Sequence, residues 1–224
     1  MFEELDSLFQ SPTIKPSFEK VHVILALFIF EENKGGIGRY RLQKELLVGS
    51  GTARSLIKKL NITINFITVL TDENKRKGHI LTKVGLNFLK KIKQKIPLIE
   101  AGDPSKLKDI IIKPEGHNPY FCLVRESSDK ISKGIEQRDA AIKIGGVGAT
   151  CLLYNGKNLI FPLQTLSENE KDPVKIENNT FKYIDTLFKK KKTQLEDNDV
   201  VIIGLGENPE KARLAALNAA LTIL

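Results

Sequence analysis

The chain has 224 residues, 41% hydrophobic and 28% charged, with 16 Gly and 9 Pro, a globular composition that argues against a disordered chain, a collagen-like repeat and a coiled-coil rod. Its longest apolar run, Val21 to Phe30, is ten residues with His22 inside it, well short of the roughly 20 that a membrane-spanning helix needs, so no membrane partner is expected. The net charge of +8 is one-sided: residues 1–97 hold 17 Lys and Arg against 9 Asp and Glu, whereas residues 98–224 hold 18 of each. A basic module beside a neutral one is the footprint of polyanion binding joined to a different task, although a charge of this size also serves solubility alone.

The first ten residues, MFEELDSLFQ, are acidic and lack the basic start and apolar middle of a secretory signal, so a cytoplasmic protein is expected. Phe18, Val21, His22, Leu25, Phe28 and Ile29 then recur at helical spacing up to Glu32, with Ser17 placed to cap the first turn. Asn33-Lys34-Gly35-Gly36 ends this helix. Arg39 to Leu47 predicts a short second helix with Leu42 and Leu46 on one face. After Val48-Gly49, Ser50 reads as a second N-cap, and Ala53, Leu56, Ile57 and Leu60 fall at i, i+3, i+4 and i+7 of a third helix. Ile62 to Leu70 is β-rich, Thr71 to Gly78 a polar turn and His79 to Leu81 a return strand, which together predict a hairpin. Thr82 opens a fourth helix to Ile96, with Val84, Phe88, Leu89, Ile92 and Ile96 on its apolar face.

Two prolines and a glycine follow between Pro97 and Pro104, so a domain over residues 1–97, a linker over 98–107 and a second domain over 108–224 are predicted. In the second domain strands are expected over residues 119–125, 149–154, 159–162 and 199–204, and helices over 131–144, 179–191 and 209–224. Asn155-Gly156 suits a two-residue hairpin turn with positive φ at both central residues. Asn208 and Pro209 read as the cap and first turn of the last helix. The expected fold class is α+β, a helical N-terminal domain followed by a mixed, layered α/β domain.

Helix, helix, helix, hairpin, helix is the winged helix-turn-helix order. The stretch IGRYRLQKELLVGSGTARSLIKKL followed by GHILTKVGLNFLKKI resembles the recognition unit and wing of winged-helix transcriptional regulators. The whole chain resembles an archaeal family of such proteins whose C-terminal half is a domain of unknown function. The resemblance implies that the third helix enters the major groove of double-stranded DNA with its N-terminal side chains at base edges. Ser50, Thr52, Arg54, Ser55 and Lys58 alternate with the apolar set and are the expected exposed residues. Arg54 is the expected base reader, because its planar fork can hold two acceptors on a guanine edge. Lys75, Arg76 and Lys77 at the hairpin tip, with Arg39 and Arg41 on the second helix, are expected on phosphates. Each of these side chains taken alone also suits a solvated face.

Gly145-Gly146-Val147-Gly148 lies between a helix and a strand and reads as a helix C-cap. Gly204, Gly206 and Asn208 stand in strand-loop-helix order, where free amides can hold an anion, and they are the candidate ligand-binding residues for a small-molecule effector. Cys122 and Cys151 read as buried thiols. No cofactor, metal or catalytic signature is expected; an enzyme would have to draw on scattered residues such as Glu126, Arg138, Asp139 and Lys143. The sequence therefore predicts a DNA-binding transcriptional regulator, expected to be a homodimer through the helix-four stripe or, preferably, the alanine face of Ala212 to Ala220. The alternative is a metabolic or nucleotide-binding protein whose winged helix is a protein-docking surface.

Overall fold

The apolar run that begins at Val21 becomes the centre of α2 (Lys20–Glu32), whose residues from Val21 to Phe30 are all buried. A helix that is apolar on every face has to lie inside a core. The computed structural model describes residues 2–10, 16–72, 75–112, 116–162 and 173–224, with the side chains of 72, 75 and 76 also outside the description. The chain separates into two units, residues 1–92 and 93–224.

In the first unit, α2 is capped differently from expectation. Glu19, not Ser17, is its N-cap: the Glu19 carboxylate accepts the His22 N–H, and His22 Nδ1 accepts the Glu19 N–H at 2.9 Å. A short α1 (Asp6–Phe9) precedes it, too brief to show a sequence period, with Leu5 and Leu8 fully buried. The helix α3 (Arg39–Leu46) buries Leu42 and Leu46, and α4 (Ser50–Lys58) buries Ala53 and Leu56. Leu47 closes α3 in the left-handed region at φ 54°.

The strand expected from Ile62 starts later. A five-residue π turn, Lys59–Thr63, prolongs α4, buries Leu60 and leaves Ile62 71% exposed, so that β1 begins only at Ile67. The hairpin pairs β1 (Ile67–Asp72) with β2 (Lys75–Leu81), antiparallel from Ile67↔Leu81 to Asp72↔Lys75. Ile37, just before α3, adds an isolated antiparallel bridge to His79. Thr82 then caps α5 (Lys83–Lys95) by accepting the Gly85 N–H. Phe88, Leu89 and Ile92 of α5 are buried in the unit, whereas Val84, expected on the same stripe, is 49% exposed.

The second unit is built on a five-stranded sheet in the order β3-β4-β7-β5-β6, antiparallel throughout. Its strands are β3 (Leu98–Ala101), β4 (Asn118–Val124), β5 (Gly148–Tyr154), β6 (Leu159–Ile160) and β7 (Val200–Gly206). Residues 98–107 are thus not a linker. Leu98 and Leu107 are buried in the sheet's core, because Ile99 and Leu98 have the apolar side chains an edge strand needs and pair with Cys122 and Leu123. One face of the sheet carries Phe121, Leu123, Leu152, Val201 and Ile203 against Ile184 and Phe188 of α7 (Asn178–Lys190). The other face carries α8 (Pro209–Leu221) and, beside it, α6 (Ile135–Lys143).

Ala212, Ala215, Ala216, Ala219 and Ala220 are all fully buried. They let α8 lie flat on β7 at backbone distance, which removes the alanine face from the surface and with it the preferred dimer seam. In the helix-four stripe Phe88, Leu89, Ile92 and Ile96 are buried as well, and Val84 is not. α6 begins at Ile135, four residues later than expected, because Gly134 takes a left-handed φ of 73° at its N-cap and a 3-10 turn occupies Ser128–Lys130. At the β5–β6 turn only Gly156 has positive φ. Asn155 acts instead through its side chain, whose Oδ1 accepts the N–H groups of Lys157 and Asn158. No helix among the described residues is long and apolar enough to cross a membrane.

Candidate nucleic-acid interface

The turn between α3 and α4 orients the second helix so that its apolar residues face the unit and its polar residues face out. Ser50, Arg54 and Lys58 are exposed, Thr52 and Ser55 are half-buried, and Ile57, expected in the buried set, is also only half-buried. Gly49 is the N-cap and offers no side chain to the first-turn amides. Those amides and the positive end of the helix dipole are the features that hold anions at a helix start. Thr52 Oγ1 lies 2.7 Å from Ser17 Oγ, which ties the entry of α2 to the first turn of α4. Arg54 makes no ion pair among the described residues.

On α3 the two arginines are engaged locally. Arg39 lays its guanidinium 4.9 Å from the centre of the Tyr40 ring, which is itself 75% exposed. Arg41 Nε donates to Glu45 Oε1 at 2.9 Å, an exposed i,i+4 pair that a competing phosphate could replace at little cost. In the hairpin, Lys75 and Arg76 belong to strand β2, opposite Asp72 and Thr71, and not to a long turn. The ladder runs two residues further than the polar composition suggested, and a bulge between Leu70 and Thr71 absorbs the extra residue. Lys77 is exposed beside them.

The glycine candidates of the second unit have a packing role. A methyl group on Gly204 would lie 2.2 Å from the Ala216 N, and one on Gly206 2.3 Å from the Ala212 N. Asn208 Oδ1 accepts the Lys211 N–H at 2.8 Å and caps α8 as expected, which uses the side chain that a ligand would need. Glu207 pairs with Lys211, and this pairing holds its carboxyl below the usual carboxylate range. Gly204 and Gly206 therefore serve the close approach of α8 to β7.

A cavity of about 560 Å³ opens elsewhere in this unit, at the start of α6. Lys133, Gly134, Arg138, Thr150, Cys151 and Phe161 are among its lining residues. Its signal in the sequence is Ser132-Lys133-Gly134 directly before a helix with Arg138 one turn in, a pattern hidden when the helix is read from Ile131. Cys151 is 3% exposed and burial pushes its thiol up to about 12; Cys122, fully buried, is raised further. Burial of this kind favours the neutral thiol over the thiolate.

The scattered residues named for catalysis do not converge. Glu126 pairs with Lys95 at 3.0 Å, and Arg138 pairs with its neighbour Asp139. Among the described residues no group of three or more His, Cys, Asp or Glu side chains could hold a metal ion. A buried network that the sequence did not disclose joins Arg125 to Asp199. Asp199 is fully buried, and its Oδ2 accepts from Arg125 Nη1 at 2.5 Å and from the Glu196 N–H at 2.8 Å. Burial raises the Asp199 carboxyl above its ordinary value against the pull of these two donors.

No curated protein matches the chain. It is similar to the hypothetical protein PH0730 from Pyrococcus horikoshii OT3, with 24% identity over 92% of this chain and 93% of that one and a TM-score of 0.64. A likeness at this identity shows a shared α+β fold and leaves activity open. Neither of these comparisons concerns a regulator, whereas the expected C-terminal domain of unknown function has a counterpart: residues 116–223 match the domain of unknown function DUF4443.

Proposed function

We propose that this chain is a DNA-binding transcriptional regulator that docks on duplex DNA through α4, with the β1–β2 hairpin beside it. The observation that carries this reading is the outward face of α4. Ser50, Arg54 and Lys58 project from a helix whose first-turn amides have no side-chain cap, in a unit that holds most of the net positive charge, with 15 Lys and Arg against 9 Asp and Glu over residues 1–92. Amides and hydroxyls there suit phosphate, and Arg54 suits a guanine edge. The Ser17–Thr52 contact and the packed Ala53, Leu56 and Leu60 hold that face rigid, which base readout requires.

The second unit in this reading takes a small effector, in the cavity at the start of α6 and not at the Gly204–Asn208 loop. Lys133 and Arg138 among its lining residues favour an anion.

Selection of bound fragments from a genomic library by the purified full chain tests the function. An enriched sequence motif is expected, and its loss in an Arg54→Ala protein ties it to α4. Fragments recovered without any motif, or no retention of DNA at low salt, would overturn the reading in favour of a protein-docking surface.

A further inference from the structure

The cavity at the start of α6 is bordered by three consecutive residues of β5, Ala149, Thr150 and Cys151. Successive side chains of a strand point to opposite faces of its sheet, so a cavity that meets three in a row lies against the strand's edge and not over one face. The sheet order leaves that edge open. β7 covers one side of β5 from Gly148 to Leu153, whereas β6 covers the other side only at Leu153 and Tyr154. The same register carried further would bring Pro162 opposite Cys151, and a proline has no N–H to give to a ladder. β6 ends at Ile160, and among the described residues no other strand pairs with the outer edge of β5 from Gly148 to Leu152.

The ladder also sets which backbone groups face outward. Tyr154 N–H donates to the Asp199 carbonyl, so by antiparallel alternation Leu152 and Thr150 bond to β7, while Cys151 and Ala149 turn their N–H and C=O groups to the open side. The two walls beside this edge differ in character. A methyl group on Gly134 would lie 3.7 Å from Cys151 Sγ, and one on Gly148 3.8 Å from Arg138 Cγ. The first turn of α6 therefore runs beside the strand from Cys151 to Gly148, with Lys133 preceding it at one end and Arg138 at the other. Arg138 is held by its exposed neighbour Asp139, a pair that a competing carboxylate replaces at little cost. The second wall is apolar: Ile110, Phe161 and Pro162 form it, the first two packed against the core on the α7 side of the sheet.

We propose that the open edge of β5 takes a short extended peptide as an added strand, with carboxylate side chains turned to Lys133 and Arg138 and apolar ones turned to Ile110 and Phe161. Backbone bonds to Ala149 and Cys151 supply affinity in this mode, and the alternating side chains supply specificity. The free edge, Gly148 to Leu152, is about 16 Å long at roughly 3.3 Å per residue, enough for a peptide of four or five residues. This names the chemical class of the effector and rests on its assignment to this cavity. A small free anion would engage the two cations alone and leave the edge groups and the apolar wall unused.

Isothermal titration calorimetry of the full chain with acetyl-Glu-Val-Glu-Val-amide tests this, beside the lysine counterpart acetyl-Lys-Val-Lys-Val-amide and inorganic phosphate. The acidic peptide is expected to bind and the lysine peptide not to. Two further probes carry N-methyl groups on both Glu amides or on both Val amides. An added strand has one edge on β5 and one in solvent, so one of these probes should lose at least about tenfold in affinity and the other should bind like the parent. Arg138→Glu, shown to be folded by circular dichroism, should weaken the acidic peptide by about tenfold. Two N-methylated probes that bind alike, or a lysine peptide that binds as well as the acidic one, overturn the added strand. Phosphate binding that Arg138→Glu abolishes, with no binding of the peptide at millimolar concentration, overturns the peptide and leaves an anionic effector at this cavity standing. No binding of either overturns both.

Discussion

Gly204 of β7 and Ala216 of α8 meet so closely that a single methyl group on Gly204 would lie 2.2 Å from the Ala216 amide nitrogen and 2.5 Å from its Cα. Both obstacles are backbone, so no side chain can rotate out of the way. Gly204→Ala is expected to push α8 off the sheet and destabilise the second unit by about 3 kcal/mol, the upper end for overpacking. Urea denaturation monitored by circular dichroism reads this directly, and an unchanged midpoint would mean that the helix accommodates the methyl group.

The buried Arg125–Asp199 pair makes a second stability prediction. Asp199→Asn leaves the Arg125 guanidinium, which also donates to the Gln194 carbonyl at 2.9 Å, without its buried counter-charge. A loss of about 3 kcal/mol is expected. Replacing both residues by apolar ones, Arg125→Met with Asp199→Leu, should recover much of that loss, because the desolvation of both ions disappears together. If the double variant were worse than the sum of the singles, the pair would contribute net stability of its own.

His22 supplies a pH dependence. Its Nδ1 must be unprotonated to accept the Glu19 N–H, and burial lowers its pKa below the ordinary 6.5 despite the nearby Glu19 carboxylate. The unfolded chain then binds the proton more readily than the folded one, so stability is complete above pH 6.5 and declines as pH falls through the lowered folded value. Thermal melts of the unaltered protein and of His22→Gln across that window should diverge, with the variant the flatter of the two. Parallel profiles would show that another group titrates.

On DNA, Arg54→Ala is expected to weaken binding to the selected site by about 1–3 kcal/mol and to relax the preference at one base pair. Competition between single-base variants of the site separates the two effects. Equal losses on every sequence would make Arg54 a phosphate contact.

Neutralising Lys75, Arg76 and Lys77 together should lower the slope of log affinity against log salt by up to about 3 units, with base preference unchanged. Affinity measured over a salt series gives the slope. A slope that does not move would take the hairpin off the DNA backbone.

Much of this architecture was legible because it rests on local signals. The periodic faces of α2 to α5, the Asn208-Pro209 start of α8 and the apolar runs of β4 and β7 survive with their ends shifted by a few residues. What the sequence concealed came from tertiary constraint. Residues 98–107 look like a linker by their prolines, yet Leu98 and Leu107 are core residues whose partners are distant in the chain. The alanines of α8 suit packing on a sheet and packing on a partner helix equally, because nothing local distinguishes close packing on a partner from close packing on Gly204 and Gly206. Gly204 and Gly206 resemble a ligand loop for the same reason. The cavity at α6 depends on Gly134 delaying the helix start, a backbone angle that composition does not specify.

The Ile37–His79 bridge has a mechanical consequence. Two backbone hydrogen bonds, 3.0 and 2.9 Å, link the strand of the hairpin to the residue that leads into α3. Gly36 and Gly78 flank it because side chains there would strike the backbone of Lys77 and Ile37. The hairpin cannot swing away from α3 without breaking both bonds, so α3, α4 and the hairpin strands form one preorganised surface. The entropy of aligning them is lost when the unit folds, and a ligand that grips helix and hairpin together finds them already in register.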